Sequence, residues 1–152
     1  MAYAPRGRYW DDFSEGEVFT TAARTVTEAA VDAFAGLSGD FNPLHTDEEA
    51  AQKTPMKGRI AHGMLVLSVA TGLANQLGLF EGTTLALLGM DKIKWTAPVR
   101  LGDTIRVELT IRAKKESSKP DRGVVVTDVG VKNQRDETVM TAEWTTLMAR
   151  KR

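Results

Sequence analysis

Between residues 64 and 77 the chain gives a helix no polar face to turn toward water. Met64, Leu65, Val66, Leu67, Val69, Ala70, Leu73, Ala74 and Leu77 surround the helical projection, and Gly78 stands where a C′ glycine would close it. Such a helix has to be enclosed, so the rest of the chain must supply the enclosure. The apolar run is too short to span a bilayer. From residue 83 onward the hydrophobic period changes to two. Ile105, Val107, Leu109 and Ile111 alternate with Arg106, Glu108, Thr110 and Arg112, the pattern of a half-buried antiparallel strand. Further long strands are predicted at 85–95, 123–132 and 138–148, joined by the polar, turn-rich segments 97–103, 116–121 and 133–137.

Upstream of the apolar helix, residues 17–25 read as a first strand. Thr27 is a good N-cap for a helix over 28–37, with Val31, Phe34, Ala35 and Leu37 near one face. Thr46 or Asp47 can cap a short helix through residue 53, where Glu48 and Glu49 suit the positive end of the dipole. Residues 54–59 read as a loop. Residues 1–12 form an irregular arm whose Tyr3, Tyr9 and Trp10 need burial, which a partner subunit can provide. The order is strand, helix, buried helix and a four-stranded meander. That is an α+β arrangement, with a curved sheet wrapped around a central helix. Open sheet edges predict a homodimer or a higher even homo-oligomer. At 152 residues and 42% hydrophobic content, a single domain over 1–152 has enough material for a core.

Composition removes several functions. Twenty basic and twenty acidic residues cancel, which argues against a nucleic-acid partner held by phosphate neutralisation. No cysteine is present, so disulfides, thiol nucleophiles and Cys-ligated zinc are excluded. No metal motif appears. The first residues lack the apolar core of a signal peptide, so a cytoplasmic protein without a membrane partner is expected.

The chemistry-bearing stretch is 34–51. His45, one of two histidines, follows Asp40 by five positions, with Asn42 and Pro43 between them. Pro43 fixes its own φ and pushes Asn42 out of the α region, so no helix passes through. A carboxylate and an imidazole held on one turn can share a water as an acid–base pair. The same residues also make an ordinary Asx-turn beside a turn histidine, and the two readings separate only in a wider pattern.

That pattern is Phe34-x-x-Leu37-Ser38-Gly39-Asp40-x-Asn42-Pro43-Leu44-His45-x-x-x-x-x-Ala51. It resembles the signature of the MaoC-like, (R)-specific enoyl-CoA hydratases. The segments Ile60-Ala61-His62-Gly63-Met64-Leu65 and Val99-Arg100-Leu101-Gly102-Asp103-Thr104 are similar to the family's approach to its central helix and to a strand connection. The likeness covers residues 17–149. It implies a hot-dog fold and reversible syn hydration of a trans-2-enoyl thioester, of coenzyme A or of an acyl carrier, to the (R)-3-hydroxyacyl thioester. Asp40 and His45 are then the catalytic pair, with Asn42 supporting the water or the turn. No cofactor is implied beyond the coenzyme A of the substrate.

Gly63 opens the apolar helix, where free amides and the positive dipole end can meet an enolate-like thioester oxygen, and it is the oxyanion candidate. Equally, a glycine there permits tight helix–sheet packing. His62 reads as a structural histidine of the loop that starts the helix. Lys53, Lys57 and Arg59 can meet coenzyme A phosphates or form a solvated loop. Leu65, with Val66, Val69 and Leu73, can line an acyl tunnel or fill the core, and Gly72 suggests close backbone approach. A hot-dog thioesterase and a non-catalytic acyl-CoA-binding protein are the competing classes.

Overall fold

The computed structural model describes residues 4–151. In chain order its elements are β1 (Val18–Thr20), β2 (Arg24–Thr25), α1 (Glu28–Ser38), α2 (Pro43–Thr46), α3 (Glu48–Gln52), α4 (Gly63–Gln76), β3 (Thr84–Trp95), β4 (Thr104–Glu116), β5 (Arg122–Lys132) and β6 (Thr138–Ala149). The apolar helix is α4. Its Leu65, Val66, Leu67, Val69, Ala70, Leu73 and Ala74 are buried against Ile105, Val107 and Leu109 of β4, Val129 and Val131 of β5, and Met140 and Trp144 of β6. Each buried Leu or Val contributes about 1.5–3 kcal/mol. The sheet leaves one stripe uncovered: Met64, Ser68, Gly72 and Asn75, at helical spacing, are exposed. Ser68 and Thr71 settle their hydroxyls on the carbonyls of Met64 and Ser68. Gly72 lies on this stripe with nothing within 4 Å of where its Cβ would be, so the close approach expected of it is not made within the chain.

This is the expected α+β hot-dog arrangement, with one difference in topology. The sheet order is β1-β4-β5-β6-β3, with β2 also on β4. Only β4, β5 and β6 form a meander, while β3 pairs with β6 at the far edge. Leaving α4, the chain must first lay down β3 and then carry 96–103 back across the end of the helix to reach β4. That crossing places Thr96–Val99 beside the start of α4, where Ala61 N–H donates to the Val99 carbonyl.

The single first strand is divided. Thr21 turns inward and takes the Val107 amide on its hydroxyl, breaking the run into β1 and β2. Thr27 caps α1 by accepting from Ala30 N–H, and Gly39 ends it in the left-handed region at φ 77. Leu37 departs from its expected face. It is 85% exposed, while Val31 and Ala35 are buried. Tyr3 lies outside the described residues. Trp10 packs within its own chain: a turn at Trp10–Asp12 sets the indole on Gly123, its Nε1–H donating to the Val124 carbonyl.

Candidate active site

Four short segments meet at the N-terminal end of α4. The first is the turn after α1. Asp40 accepts the Asn42 amide on its own carboxylate (3.2 Å), and Asn42 accepts the Leu44 amide on its side chain (3.0 Å), two consecutive Asx-turns. Asn42 is thereby the N-cap of α2, with Pro43 at the first helical position. The proline that bars a helix from passing through starts one instead, and His45 is carried on it. Asn42 thus serves the turn geometry.

The second segment, 59–60, fixes His45. Its Nδ1 lies 2.7 Å from the Ile60 carbonyl, which can only accept, so Nδ1 carries a proton and, in the neutral ring, Nε2 holds the lone pair. Arg59 donates from Nε to the His45 carbonyl at 2.6 Å, and from its two Nη groups to Glu28 and Asp32 of α1, each at 2.5 Å. With its side chain 9% exposed, Arg59 is a strut that ties α2 to α1. The expected phosphate contact is therefore corrected, because its guanidinium is already engaged on three sides. The Arg59 amide also donates to Glu48 and, with Gln52, holds that carboxyl below its ordinary value. Lys57 is exposed, in the left-handed region at φ 56, next to Met56 of the cavity wall.

The third segment is His62–Gly63. His62 is 2% exposed and stacks on His45 with centroids 3.9 Å apart and ring planes 29° apart. Its Nε2–H donates to the Asp40 main-chain carbonyl at 2.9 Å. It makes no side-chain cap bond to α4, so the loop it holds is the Asp40 turn, twenty-two residues upstream. Gly63 is the first residue of α4, and its amide is among those without an intrahelical acceptor.

The fourth is the end of β3. The Trp95 indole lies over Gly63, its Nε1–H donating to the Gly63 carbonyl at 2.9 Å. A Cβ on Gly63 would stand 2.7 Å from Trp95 Cε2. Both readings of this glycine thus have a physical footing: the indole occupies its Cβ side, and the amide belongs to the open helix end. Trp95 did not stand out in the sequence. The signal for it was Gly63 itself, since a glycine at a helix start leaves room that a large side chain can fill.

These segments enclose a cavity of about 600 Å³ whose walls include His45, Ile60, Gly63, Val66, Trp95 and Val99. Leu65, 7% exposed, points into the core, and Val66 and Met64 take the wall positions expected of it. A carboxylate oxygen of Asp40 and a ring nitrogen each of His45 and His62 all lie within 4.8 Å of one another. Two groups each about 2.8 Å from one water, at a near-tetrahedral angle, stand about 4.6 Å apart. The bound of 4.8 Å admits a single water shared by Asp40 and His45.

Residues 12–134 match the MaoC like domain family. The chain belongs to that family. Over 107 residues this MaoC-like chain is 38% identical to the (R)-specific enoyl-CoA hydratase of Rhodospirillum rubrum, a match covering 68% of this chain and 69% of the relative. It is 36% identical over 110 residues to Protein MaoC of Klebsiella aerogenes, covering 72% of this chain but 32% of that longer protein. Among solved structures, an Archaeoglobus protein described as a monoamine oxidase regulatory protein superposes with a TM-score of 0.90 at 38% identity, covering 96% of this chain and 97% of the other.

In the MaoC-like chain the Asp40, His45 and His62 cluster is better arranged for water than for a metal ion. Imidazoles bind metal through lone pairs in the ring plane, and two stacked rings do not direct those lone pairs to one point. Each ring also has one nitrogen engaged by a backbone carbonyl.

Proposed function

We propose that this MaoC-like protein is a hydro-lyase that adds water reversibly and syn across a trans-2-enoyl thioester, giving the (R)-3-hydroxyacyl thioester. One observation carries the reading. A ring nitrogen of His45 and a carboxylate oxygen of Asp40 lie within 4.8 Å of each other, and His45 stands in the wall of a largely apolar cavity that also contains the helix-opening Gly63. The thioester carbonyl lies toward the Gly63 amide, where the helix end stabilises the oxyanion as charge moves onto it. The water oxygen bonds to Cβ as its proton passes to the pair, and a proton from the pair completes Cα on the same face. Dehydration reverses these steps. Asp40 and His45 share the water in this scheme, so the roles of base and acid belong to the two together.

The apolar wall of Val66, Val99 and Trp95 takes the acyl group, and exposed Lys57 is the cation offered to a coenzyme A phosphate at the rim. Two copies pair along β3, an unshared edge of twelve residues with Leu85, Leu87 and Leu88 about half exposed, next to the uncovered stripe of α4. The test is a trans-2-enoyl-CoA assay following loss of the conjugated thioester absorbance, with free thiol measured in parallel. Absorbance loss without thiol, and an (R)-3-hydroxyacyl product, is the expected result. Thiol release would replace the hydratase with a thioesterase.

A further inference from the structure

We propose that His62 is the positioning residue that sets Asp40 and His45 relative to each other, a role that rests on the hydratase reading above. It touches both members of the pair by different means. Toward Asp40 it gives a hydrogen bond from Nε2 to the main-chain carbonyl. Asp40's other hydrogen bonds, among the described residues, reach only Ser38 and Asn42 on the same turn. The turn is exposed and follows a left-handed glycine, and among the described residues the hydrogen bond that ties Asp40 itself to a distant part of the chain comes from the His62 ring.

Toward His45 the contact is a face. The bond from Nδ1 to the Ile60 carbonyl fixes the direction of that N–H but leaves the ring free to turn about it. A second ring stacked at 3.9 Å removes that rotation and so fixes where the Nε2 lone pair points. His62 is itself held. It is 2% exposed, tilted against Phe34 of α1 at 5.1 Å, and its carbonyl takes the Val66 amide of α4.

The rest of its environment argues against a purely structural role. A residue placed here to cap α4 would be Ser, Thr, Asp or Asn, and His62 makes no cap bond. A residue placed here only to fill space would be apolar. His62 instead leaves Nδ1 buried without a hydrogen-bond partner among the described residues, a cost that an apolar ring would not incur. The nitrogen in use is the one on Asp40.

The experiment compares wild type with His62→Phe, which keeps a ring but loses the donor, and His62→Gln, whose amide can reach the Asp40 carbonyl but cannot stack. Below the melting temperature of each, kcat is expected to fall about 100-fold in His62→Phe and about tenfold in His62→Gln, with KM within about threefold of wild type. Nitrogen-15 spectra of the wild-type rings supply a readout free of turnover and of variant folding. His45 is expected to be protonated on Nδ1 and His62 on Nε2, and the His45 ring signals to broaden or shift in folded His62→Gln, which cannot stack, while staying near wild type in folded His62→Phe. Turnover within twofold of wild type in a folded variant, a change confined to KM, or the opposite His45 tautomer in wild type would each overturn the proposal. A wild type inert toward every enoyl thioester would instead overturn the hydratase reading, while the ring spectra would still decide whether His62 orders His45.

Discussion

The Asp40–His45 segment and the Trp10–Phe13 segment both fold back onto the sheet from outside it, yet they are held by different forces. At the arm, Phe13 is 2% exposed among Ile111, Val125 and Met148, with Phe80 stacked on it at 6.2 Å. Two cations lie over the Trp10 ring, Lys114 Nζ at 4.2 Å and Arg150 Cζ at 4.4 Å from its centroid. At the site, Asp40, Phe41, Asn42 and Pro43 are exposed, and the segment is held by Asx-turns and by polar bonds to residues 59–62. Burial is non-directional and stabilises wherever it occurs. Hydrogen bonds add little net stability but fix direction. The arm is therefore where this fold gains stability, and the site is where it spends contacts on geometry.

The contrast is broken most directly at the site. Asp40→Asn and His45→Ala are each expected to lower hydration turnover by about 10²–10⁴-fold. Because Asp40 is exposed and His45 only half buried, thermal melting should move by no more than a few degrees. Melting temperature and kcat measured on the same preparations check this. A melting loss as large as that of a core variant would mean that the site segment also carries stability.

Phe13→Ala is the reciprocal change. Truncating a buried phenylalanine costs about 3–5 kcal/mol, to be measured by urea unfolding, while turnover per folded molecule at low temperature should stay near wild type. A folded but inactive Phe13→Ala protein would show that the arm reaches the cavity energetically, and the comparison would fail.

The same division explains what could be read from the sequence. Hydrophobic pattern locates α4 and β4, and residue type locates the Thr27 cap, because burial and capping leave local marks. The long-range pairing of β3 with β6 leaves none, since the pattern of β3 is the same whichever neighbour it takes. Arg59 reads as a loop cation because its partners, Glu28 and Asp32, are about thirty residues away and meet it only after folding. That Asp40 and His45 meet was legible through their motif and the turn between them. The stacking of His62 on His45 was not, because nothing in the spacing of residues 45 and 62 tells that their rings share a face.

Gly63→Ala tests where the two kinds of force meet. The added methyl would stand 2.7–2.8 Å from the Trp95 indole, which has to move. Overpacking of this sort costs about 1–3 kcal/mol. Displacing Trp95 also breaks its bond to the Gly63 carbonyl and reshapes the cavity wall. Stability should recover in Gly63→Ala/Trp95→Leu, whose side chain is smaller, while turnover should not, since the wall is still altered. Recovery of both would make the glycine a packing residue only.

The smallest effect is expected at the C-terminal side of the arm, in acid. The Lys151 amide, followed by the Arg150 guanidinium, holds the Asp11 carboxyl below its ordinary value of 3.8, and the Lys151 ammonium does the same for Asp12. A depressed folded value means that the unfolded chain binds the proton first as pH falls. The stabilisation is therefore complete well above 3.8 and is lost as pH drops through that value toward the folded one, setting in below about pH 5. Both carboxylates face solvent, so the change is slight. Asp11→Asn/Asp12→Asn should flatten the acid limb of a melting-temperature profile and leave neutral turnover unchanged. Glu48→Gln supplies the matching measurement at the site, where the Arg59 amide holds that carboxyl low. If it flattens the acid limb as much as the arm variant does, electrostatic stability is shared by the two regions, and the difference between them lies in apolar burial alone.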